Sequence, residues 1–425
     1  MKVLIVGSGG REHTIAWALK KSPQVDEIFV APGNAGTASV GKNLDIGVND
    51  FEKLAEFAQK EEIGLTIVGP EDPLVKGIVD FFEGKGLKAF GPSGKAAEIE
   101  GSKLFCRELL KKYNIPSAEF ASFNNAGEAK AYLKEKGAPI VVKADGLAAG
   151  KGVTVAETVE EAEKAIDSIM VDKQFGEAGA RVLLEEKLQG EEASYLIFSD
   201  GKSILPMVSS QDHKRVFEQD KGPNKGGMGA YSPAPIVTEE MEARVLKEIM
   251  QPTVDAMREE GRLFKGVLYA GLMIGEQGPK IVEFNARFGD PETQVILPRL
   301  ESDLLEIMLA CVGERLAEQE IKWSEKAACC VAMASGGYPG KYEKGKEIQG
   351  LEEAGNLPET VVFHAGTREE EGKILTNGGR VLGVTALGGS IREAIGNTYK
   401  AVEKISFEGA HYRKDIGQKA LNKEK

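Results

Sequence analysis

The sequence predicts an α/β protein built from several domains. Residues 1–100 alternate short apolar segments with amphipathic ones, and turns rich in glycine and proline separate them. This alternation is typical of a parallel sheet covered by helices, so we expect a Rossmann-like unit there. The length of 425 residues exceeds what one core supports and favours about three domains. We place these domains at 1–100, 101–325 and 326–425.

Composition and charge exclude several classes of partner. The net charge is −12 and no block rich in lysine or arginine stands out, so we expect neither nucleic acid nor a membrane as a partner. No run approaches 18 apolar residues, and the N-terminal apolar run is too short for a signal segment, which predicts a cytoplasmic protein. The four cysteines lack CxxC spacing, which favours buried thiols over a zinc site or disulfides.

In the first unit we predict strands at 2–6, 27–30, 65–68 and 87–90, with helices at 12–21, 51–60 and 76–83. The first turn contains Gly-x-Gly but has Glu12 where a dinucleotide fingerprint needs a small residue. The second strand also lacks the acidic residue that would hold a ribose, so a dehydrogenase is disfavoured. Two interpretations stay open for Gly9, Gly10 and Arg11: a phosphate-binding helix N-terminus, or a structural turn.

The second unit begins with a helix capped by Ser102, followed by a helix at 126–136 and strands at 139–142 and 153–156. A glycine-rich turn joins the two strands and would let backbone N–H groups approach a polyphosphate. Its glycines are Gly146, Gly150 and Gly152, and the lysines that add positive charge are Lys143 and Lys151. An ordinary hairpin with solvated lysines is the alternative, as is a solvated first-turn role for Lys103.

A helix at 158–170 precedes two strands that meet at a charged bend. Backbone groups at such a bend suit an adenine edge, and Glu192 is well placed for ribose hydroxyls; a solvated acidic turn is the alternative. Farther on, Asp212 and Lys214 precede a stretch rich in glycine and proline, which we expect to be a functional loop without regular structure. A helix at 239–260 and strands at 266–274 and 280–284 follow.

The most chemically loaded segment is 281–294. Strand alternation places Glu283, Asn285 and Arg287 on one face. Oxygen ligands two residues apart suit a hard cation such as Mg²⁺, and the arginine would stabilise a transferring phosphoryl group. A polar edge strand facing water is the alternative.

In the C-terminal unit we predict strands at 327–334, 361–364 and 380–386 and a helix at 391–405. It contains no catalytic cluster of its own, so we expect it to close the substrate side of a cleft. Arg380 and Arg413 are candidates for phosphate contacts, with solvated arginines as the default interpretation.

Taken in order, Lys103, the turn at 143–152, the bend at 185–192 and the Glu-x-Asn-x-Arg strand resemble the ATP-grasp superfamily. Within it, segments 7–13, 222–233 and 287–294 closely resemble the phosphoribosylamine–glycine ligase family, and the likeness continues through 379–385 and 411–417. The resemblance implies a central ATP-grasp domain with a mobile lid at about 119–190, and a small mixed α/β C-terminal domain. Many members carry another carboxylate on the strand before Glu283, where this chain has Tyr269 to Met273, so a second metal has no assigned ligand.

The resemblance also implies an activity: ATP-dependent ligation of glycine to 5-phosphoribosylamine through glycyl phosphate, in purine biosynthesis, by a monomer that needs Mg²⁺ or Mn²⁺. The implied ATP-binding residues are Lys103, Lys143, Gly146, Gly150, Lys151, Gly152, Glu185, Glu186, Leu188 and Glu192. The implied catalytic residues are Arg287, Lys214 and Asp212, with Glu283 and Asn285 as metal ligands. The implied substrate contacts are Gly9, Gly10, Arg11, Asn224, Gly289, Asp290, Pro291 and Glu292.

Two other functions remain in competition. One is a ligase or carboxylase of the same superfamily that acts on another purine intermediate or acid, although nothing in the sequence displays the bicarbonate and biotin context of a carboxylase. The other is a nucleotide-binding regulator without catalytic activity. A regulator need not keep Glu283, Asn285 and Arg287 together, and this chain has all three.

Overall fold

The structure is a computed structural model that describes residues 1–148, 151–224 and 226–423, with nothing said of the Asn224 side chain. Its N-terminal unit is a parallel sheet of order β3-β2-β1-β4-β5 with helices around it, which confirms the Rossmann-like prediction. The strands are β1 (Lys2–Gly7), β2 (Glu27–Pro32), β3 (Lys42–Asn43), β4 (Leu65–Val68) and β5 (Ala89–Phe90). The helices are α1 (Gly10–Leu19), α2 (Thr37–Val40), α3 (Phe51–Lys60), α4 (Glu71–Val75), α5 (Ile78–Gly84) and α6 (Gly94–Gly101).

The sheet order places a crevice where the site begins. The chain moves outward in one direction through β2 and β3 and then in the other through β4 and β5. In parallel sheets a crevice opens at this switch point, beyond the carboxyl ends of the two central strands. The turn after β1 carries Arg11 and the turn after β4 carries Glu71, so both side chains lie at this crevice.

The segment after α7 (Lys103–Lys112) folds into an antiparallel sheet of order β6-β9-β7-β8. Its elements are β6 (Phe120–Phe123), α8 (Ala126–Lys136), β7 (Ile140–Ala144), β8 (Val153–Ala156), α9 (Val159–Met170), a 3₁₀ turn (Gly176–Ala180) and β9 (Val182–Glu186). Side chains of Ser102, Asn125 and Thr158 cap the three helices, as such residues do at helix N-termini. Leu133, Val142 and Ile166 belong to an apolar core separate from the rest of the molecule.

A second antiparallel sheet, of order β11-β10-β16-β17, faces the first. Its strands are β10 (Glu191–Asp200), β11 (Ile204–Pro206), β16 (Lys265–Gly275) and β17 (Gly278–Asn285). The predicted helix at 239–260 is α10 (Glu239–Val245) and α11 (Gln251–Glu259), with a π-helical turn (Leu246–Met250) between them. After β17 come α12 (Thr293–Ile296), a 3₁₀ turn (Leu297–Arg299), α13 (Leu304–Val312) and a second 3₁₀ turn (Leu316–Glu318).

The third sheet combines strands from two distant parts of the chain. Its antiparallel order is β12 (Gln211–Asp212), β15 (Gly229–Ser232), β18 (Ala327–Ala334), β22 (Arg380–Gly388) and β19 (Thr360–His364). A hairpin of β13 (Arg215–Phe217) and β14 (Lys221–Asn224) connects its first two strands, and β20 (Thr367–Glu370) pairs with β21 (Lys373–Thr376). The helices are α14 (Leu351–Gly355), α15 (Ile391–Val402) and α16 (Gln418–Lys423).

This third sheet corrects one prediction. We expected no regular structure in the glycine- and proline-rich stretch 222–233, but most of β14 and all of β15 lie in it. Gly229, at φ +155°, lies against the Cys330 carbonyl, and β15 pairs with β18 along its length. The backbone groups are therefore satisfied by a strand a hundred residues away, which the local glycine content does not reveal.

Two further observations concern the cysteines and the length of the apolar helices. All four cysteines are buried free thiols, as predicted. Among the helices in the described ranges, none combines the length and apolarity that crossing a bilayer requires.

Candidate active site

A cleft of about 1180 Å³ lies between the two facing sheets. The N-terminal crevice bounds it on one side, and the third sheet with α16 bounds it on another. The structure brings sixteen of the predicted site residues to this cleft: Arg11, Lys103, Lys143, Gly146, Gly152, Glu185, Glu186, Leu188, Glu192, Asp212, Lys214, Glu283, Asn285, Arg287, Asp290 and Glu292.

Other predicted residues lie outside the cleft lining. Among the described ones these are Gly9, Gly10, Lys151, Gly289 and Pro291, while Gly150 and the Asn224 side chain fall outside the described residues. The amide of Gly9 donates to the Glu12 carboxylate at 2.6 Å, so the helix N-terminus already holds an anionic partner. Glu12 also packs against Gly7 and Gly69 in the crevice. These contacts favour the structural interpretation of the first turn, whereas Arg11 does reach the cleft.

The floor of the cleft holds a buried cluster of three charges. Glu185 accepts two hydrogen bonds from Arg107, at 2.8 and 2.7 Å, and its Oε2 lies 2.8 Å from Lys143 Nζ. Burial opposes ionisation of Glu185, but Lys143 and Arg107 outweigh it and lower its pKa to about 2. The carboxylate thus fixes the position of Lys143. Arg107 was missed in the sequence because it lies on α7 with no motif around it.

The glycine turn is tied to the start of α7. Lys103 Nζ donates to the Gly146 carbonyl at 2.7 Å. Asp145 Oδ1 accepts from the Ser102 hydroxyl at 3.1 Å and from the Leu104 amide at 3.2 Å. The turn and the first lysine therefore form one hydrogen-bonded unit at the edge of the cleft.

A second charged group lies opposite the turn. Lys214 Nζ is 2.6 Å from Glu192 Oε2, so a residue expected to be catalytic forms an ion pair with the one expected to hold the ribose. Burial would lower the pKa of Lys214, but Glu192 and Asp212 raise it above its usual range. Burial raises the pKa of Asp212 to about 8, with Glu292 and Glu192 adding to the effect and Lys214 opposing it.

Strand β17 ends at Asn285, two residues before Arg287, so strand alternation does not extend to this arginine as predicted, although its side chain reaches the cleft. Glu283, Asn285 and Arg287 all line it. The pairing register between β16 and β17 shifts at Val282. The Val282 carbonyl accepts hydrogen bonds from Lys143 at 3.1 Å and from Arg107 at 2.6 Å. Glu283 and Asn285 contribute one carboxylate and one amide oxygen, and oxygen ligands of this kind suit a hard cation completed by water and phosphate oxygens. The residues present therefore fit a divalent cation.

The guanidinium of Arg287 is held by two glutamates that the sequence analysis missed. Its Nε donates to Glu71 Oε2 at 3.1 Å, and its NH2 lies 3.0 Å from Glu100 Oε1. The same NH2 donates to Asn285 Oδ1 at 3.1 Å. Glu71 and Glu100 precede Arg287 by about 200 residues, and only the packing of the first unit against the second brings them there.

The substrate end of the cleft contains Glu292 and Arg380, which the sequence analysis named, and two hydrogen-bond partners of Glu292 that it did not name. Glu292 is buried and accepts from Ser194 at 3.1 Å and Tyr269 at 2.8 Å. Arg380, from the C-terminal unit, donates to the Asp290 carbonyl at 2.9 Å and pairs with its carboxylate at 3.2 Å.

The default interpretation of the two C-terminal arginines as solvated is wrong. Arg380 lines the cleft, and Arg413 is buried in ion pairs with Asp220 and Asp415 outside the lining. Arg413 is enclosed because the C-terminal segment packs against the β13–β14 hairpin, where the Arg215 carbonyl and Asp220 accept from it.

Comparison with known proteins gives the family. Three domain families match in succession: the phosphoribosylglycinamide synthetase N domain at 1–100, its ATP-grasp (A) domain at 101–293 and its C domain at 328–419. The chain is 53% identical over 428 residues to the phosphoribosylamine–glycine ligase of Pasteurella multocida (strain Pm70). The alignment covers 100% of this chain and 99% of that protein. It is likewise 53% identical over 431 residues to that of Escherichia coli (strain K12), with 100% of both chains covered.

A solved structure agrees with this result. The crystal structure of phosphoribosylamine–glycine ligase from Thermotoga maritima superposes with a TM-score of 0.85 at 33% identity, covering 98% of this chain and 100% of that one. Both the sequence and the arrangement of the three units are thus shared with these enzymes. The chain belongs to the phosphoribosylglycinamide synthetase family of ATP-grasp ligases.

Proposed function

We propose that this protein ligates glycine to 5-phosphoribosylamine at the expense of ATP, yielding glycinamide ribonucleotide, ADP and phosphate. Full-length identity of 53% to phosphoribosylamine–glycine ligases supports the choice of substrates. The observation that carries the chemistry is the convergence of Lys143, Lys214, Glu283, Asn285 and Arg287 on one cleft. A nucleotide-binding regulator would not need this complete set.

The reaction needs an activated acid because a carboxylate is a poor electrophile. A glycine carboxylate oxygen attacks the γ-phosphorus of ATP, the bond to the bridging oxygen breaks, and ADP leaves. The amine of 5-phosphoribosylamine then attacks the carbonyl carbon of glycyl phosphate. The C–O bond to phosphate breaks, inorganic phosphate leaves, and the amine proton passes to solvent or to the departing phosphate. Positioning and neutralisation of charge supply most of the catalysis in such transfers.

Several side chains have proposed roles in these steps. Lys103 and Lys143 contact ATP phosphates, and Glu186, Leu188 and Glu192 hold the nucleoside. Lys214 and Arg287 stabilise the transferring phosphoryl group and the acyl phosphate. Asp212, Asp290 and Glu292 hold the ammonium or hydroxyl groups of the substrates. The cleft location of all of these residues supports the assignment.

Glu283 and Asn285 would hold the divalent cation, for which we propose Mg²⁺, with Mn²⁺ as a substitute. When bound, such a cation neutralises charge on the ATP phosphates. We further propose that the unit at about 119–190 closes over ATP and excludes water. Its separate apolar core supports movement as one body. A monomeric state and a cytoplasmic location remain predictions.

The test is phosphate release from ATP in the presence of glycine, freshly generated 5-phosphoribosylamine and Mg²⁺, with each component omitted in turn. Release that requires all of them, together with formation of glycinamide ribonucleotide, is the expected result. ATP turnover with another acid or amine would overturn the substrate assignment but retain the ligase. No turnover with any tested pair would favour the regulatory alternative.

A further inference from the structure

The N-terminal unit contributes a charged side chain to the cleft at the switch point of its sheet. Glu71 is the first residue of α4, directly beyond the carboxyl end of β4. Its side chain is 31% exposed, and what is exposed faces the cleft. The carboxylate lies 3.1 Å from the Nε of Arg287, a residue of the central unit. This contact therefore joins two units at the proposed site of phosphoryl transfer.

The other contacts of Arg287 leave little freedom to its guanidinium. Glu100 Oε1 lies 3.0 Å from NH2, and its Oε2 accepts from the Ala286 amide at 2.7 Å. The Phe288 carbonyl accepts from NH1 at 3.2 Å. Glu100 comes from the end of α6, and its side chain is only 7% exposed. A guanidinium bound on several edges keeps one orientation, and planar forks of this kind are well suited to oxyanions.

Neighbouring positive charges keep the half-buried Glu71 carboxylate ionised. Arg11 also lies near Glu71 and pairs with Glu12 at 2.6 Å, so the cluster holds two arginines and three glutamates. Burial opposes ionisation of Glu71, but Arg287 and Arg11 outweigh it and lower its pKa to about 2. The Glu71 carboxylate is thus an anion throughout the neutral range, whereas burial raises the pKa of Glu100.

The cluster also reaches the proposed cation site. Arg287 donates to Asn285 Oδ1 at 3.1 Å, so its orientation fixes that of the amide. Glu71 of the N-terminal unit is thereby linked to Asn285 through the guanidinium of Arg287.

We propose that Glu71 is a positioning residue that, with Glu100, holds the Arg287 guanidinium in the orientation needed for phosphoryl transfer. The N-terminal unit then completes the active site of the central unit instead of serving only as a docking platform. The inference rests on the proposed function, because it assumes that Arg287 faces the transferring phosphoryl group.

The test compares Glu71→Gln with the wild-type enzyme and with a matched control, Glu98→Gln. Glu98 lies on α6 beside Glu100 and also forms an ion pair across the two units, with Arg262, but away from the cleft. We expect kcat of Glu71→Gln to fall about ten- to hundredfold, since small displacements of a catalytic group carry costs of this size. The Kd for ATP and the melting temperature should stay close to those of the control, whose kcat should match the wild type.

A spectroscopic readout separates positioning from a merely structural role. The Nε–H resonance of Arg287 in ¹⁵N-arginine-labelled enzyme is identified by its loss in Arg287→Lys. We expect it to shift in Glu71→Gln and to stay unchanged in Glu98→Gln.

Each other outcome overturns the proposal. A shifted resonance with unchanged kcat would mean that the contact does not assist catalysis. A lower kcat with an unchanged resonance, or an equal loss in the control, would mean that Glu71 acts by another route. Absence of wild-type turnover with glycine and 5-phosphoribosylamine would instead contradict the proposed function. The resonance comparison would still report whether Glu71 orients Arg287, so the two failures are distinguishable.

Discussion

At the scale of single residues, the buried cluster at the floor of the cleft makes stability depend on one carboxylate. The side chains of Glu185, Arg107 and Lys143 are 3, 2 and 6% exposed. Removing one partner of a buried ion pair leaves the others uncompensated, and such losses cost about 3–5 kcal/mol. We therefore expect Glu185→Gln to lower the unfolding midpoint markedly in urea and to weaken ATP binding. Glu27→Gln, which removes an exposed pair with Lys42, is the control and should change neither.

The effect of Arg287 on catalysis should be larger than its effect on folding. We expect Arg287→Ala to reduce kcat by about 10³-fold or more, the range measured for arginines that stabilise a transferring phosphoryl group. The fold should survive because burial raises the pKa of Glu100, which lets that carboxyl take up a proton once its partner is gone.

Phosphate-release kinetics and circular dichroism check this prediction. Arg368→Ala serves as its control, because Arg368 forms an exposed pair with Glu370 on the β20–β21 hairpin, away from the cleft. Normal turnover of Arg287→Ala would remove this arginine from the catalytic residues.

At the scale of elements, the turn between β7 and β8 depends on a glycine. Gly146 has φ +100°, and a Cβ there would lie 3.1 Å from that of Ala178. A side chain at such a φ strains the backbone by about 1–2 kcal/mol. We expect Gly146→Ala to weaken ATP binding by about 5–30-fold, measured by equilibrium titration. Gly84→Ala, in the exposed end of α5 with open space around it, should leave ATP binding unchanged; equal effects of the two substitutions would contradict a special role for the turn.

At the scale of the whole molecule, a histidine pair joins the first and third units. His13 Nδ1 accepts a hydrogen bond from the backbone N–H of His364 at 2.8 Å, so this nitrogen carries no proton and the ring is neutral. Burial, with His364 adding to it, lowers the pKa of His13 to about 3, and burial lowers that of His364 to about 4. Both values lie below that of an unfolded histidine, so the unfolded chain binds more protons between about pH 6.5 and 3. The stabilisation is complete above pH 6.5 and is lost as pH falls.

We therefore expect the free energy of unfolding, measured by urea denaturation, to decrease from pH 7.5 to pH 5. His13 should account for about 2 kcal/mol of this decrease. His13→Asn keeps an acceptor at the δ position without a titrating ring, and its decrease should be smaller by that amount. Glu185→Gln is a useful comparison, since its carboxyl stabilises above about pH 4.5 and loses this effect only as pH falls towards 2. An unchanged pH dependence in His13→Asn would show that the pair does not control the stability of the molecule.

The sequence by itself determined the local elements and the chemistry they carry. Periodicity and capping residues predicted α3, α8 and β18 with the bounds that the structure shows. The alternation in β17 predicted that Glu283 and Asn285 share one face, because side-chain direction in a strand depends only on neighbouring residues. Arg287 lies two residues beyond the end of this strand, so its place in the cleft follows from the turn and its ion pairs.

Only the tertiary structure decided which distant residues support that chemistry. Arg107, Glu71 and Glu100 reach the cleft through the packing of separate units, and no local pattern marks them. Arg380 was a candidate in the sequence, but only packing brings it to the cleft. Strand β15 forms for the same reason, since its hydrogen-bond partners lie on β18. Charged side chains on different segments acquire their roles from proximity in space, and burial there sets their ionisation. The local sequence therefore predicts the chemistry of a side chain, whereas tertiary packing decides which distant side chains contact it and set its ionisation.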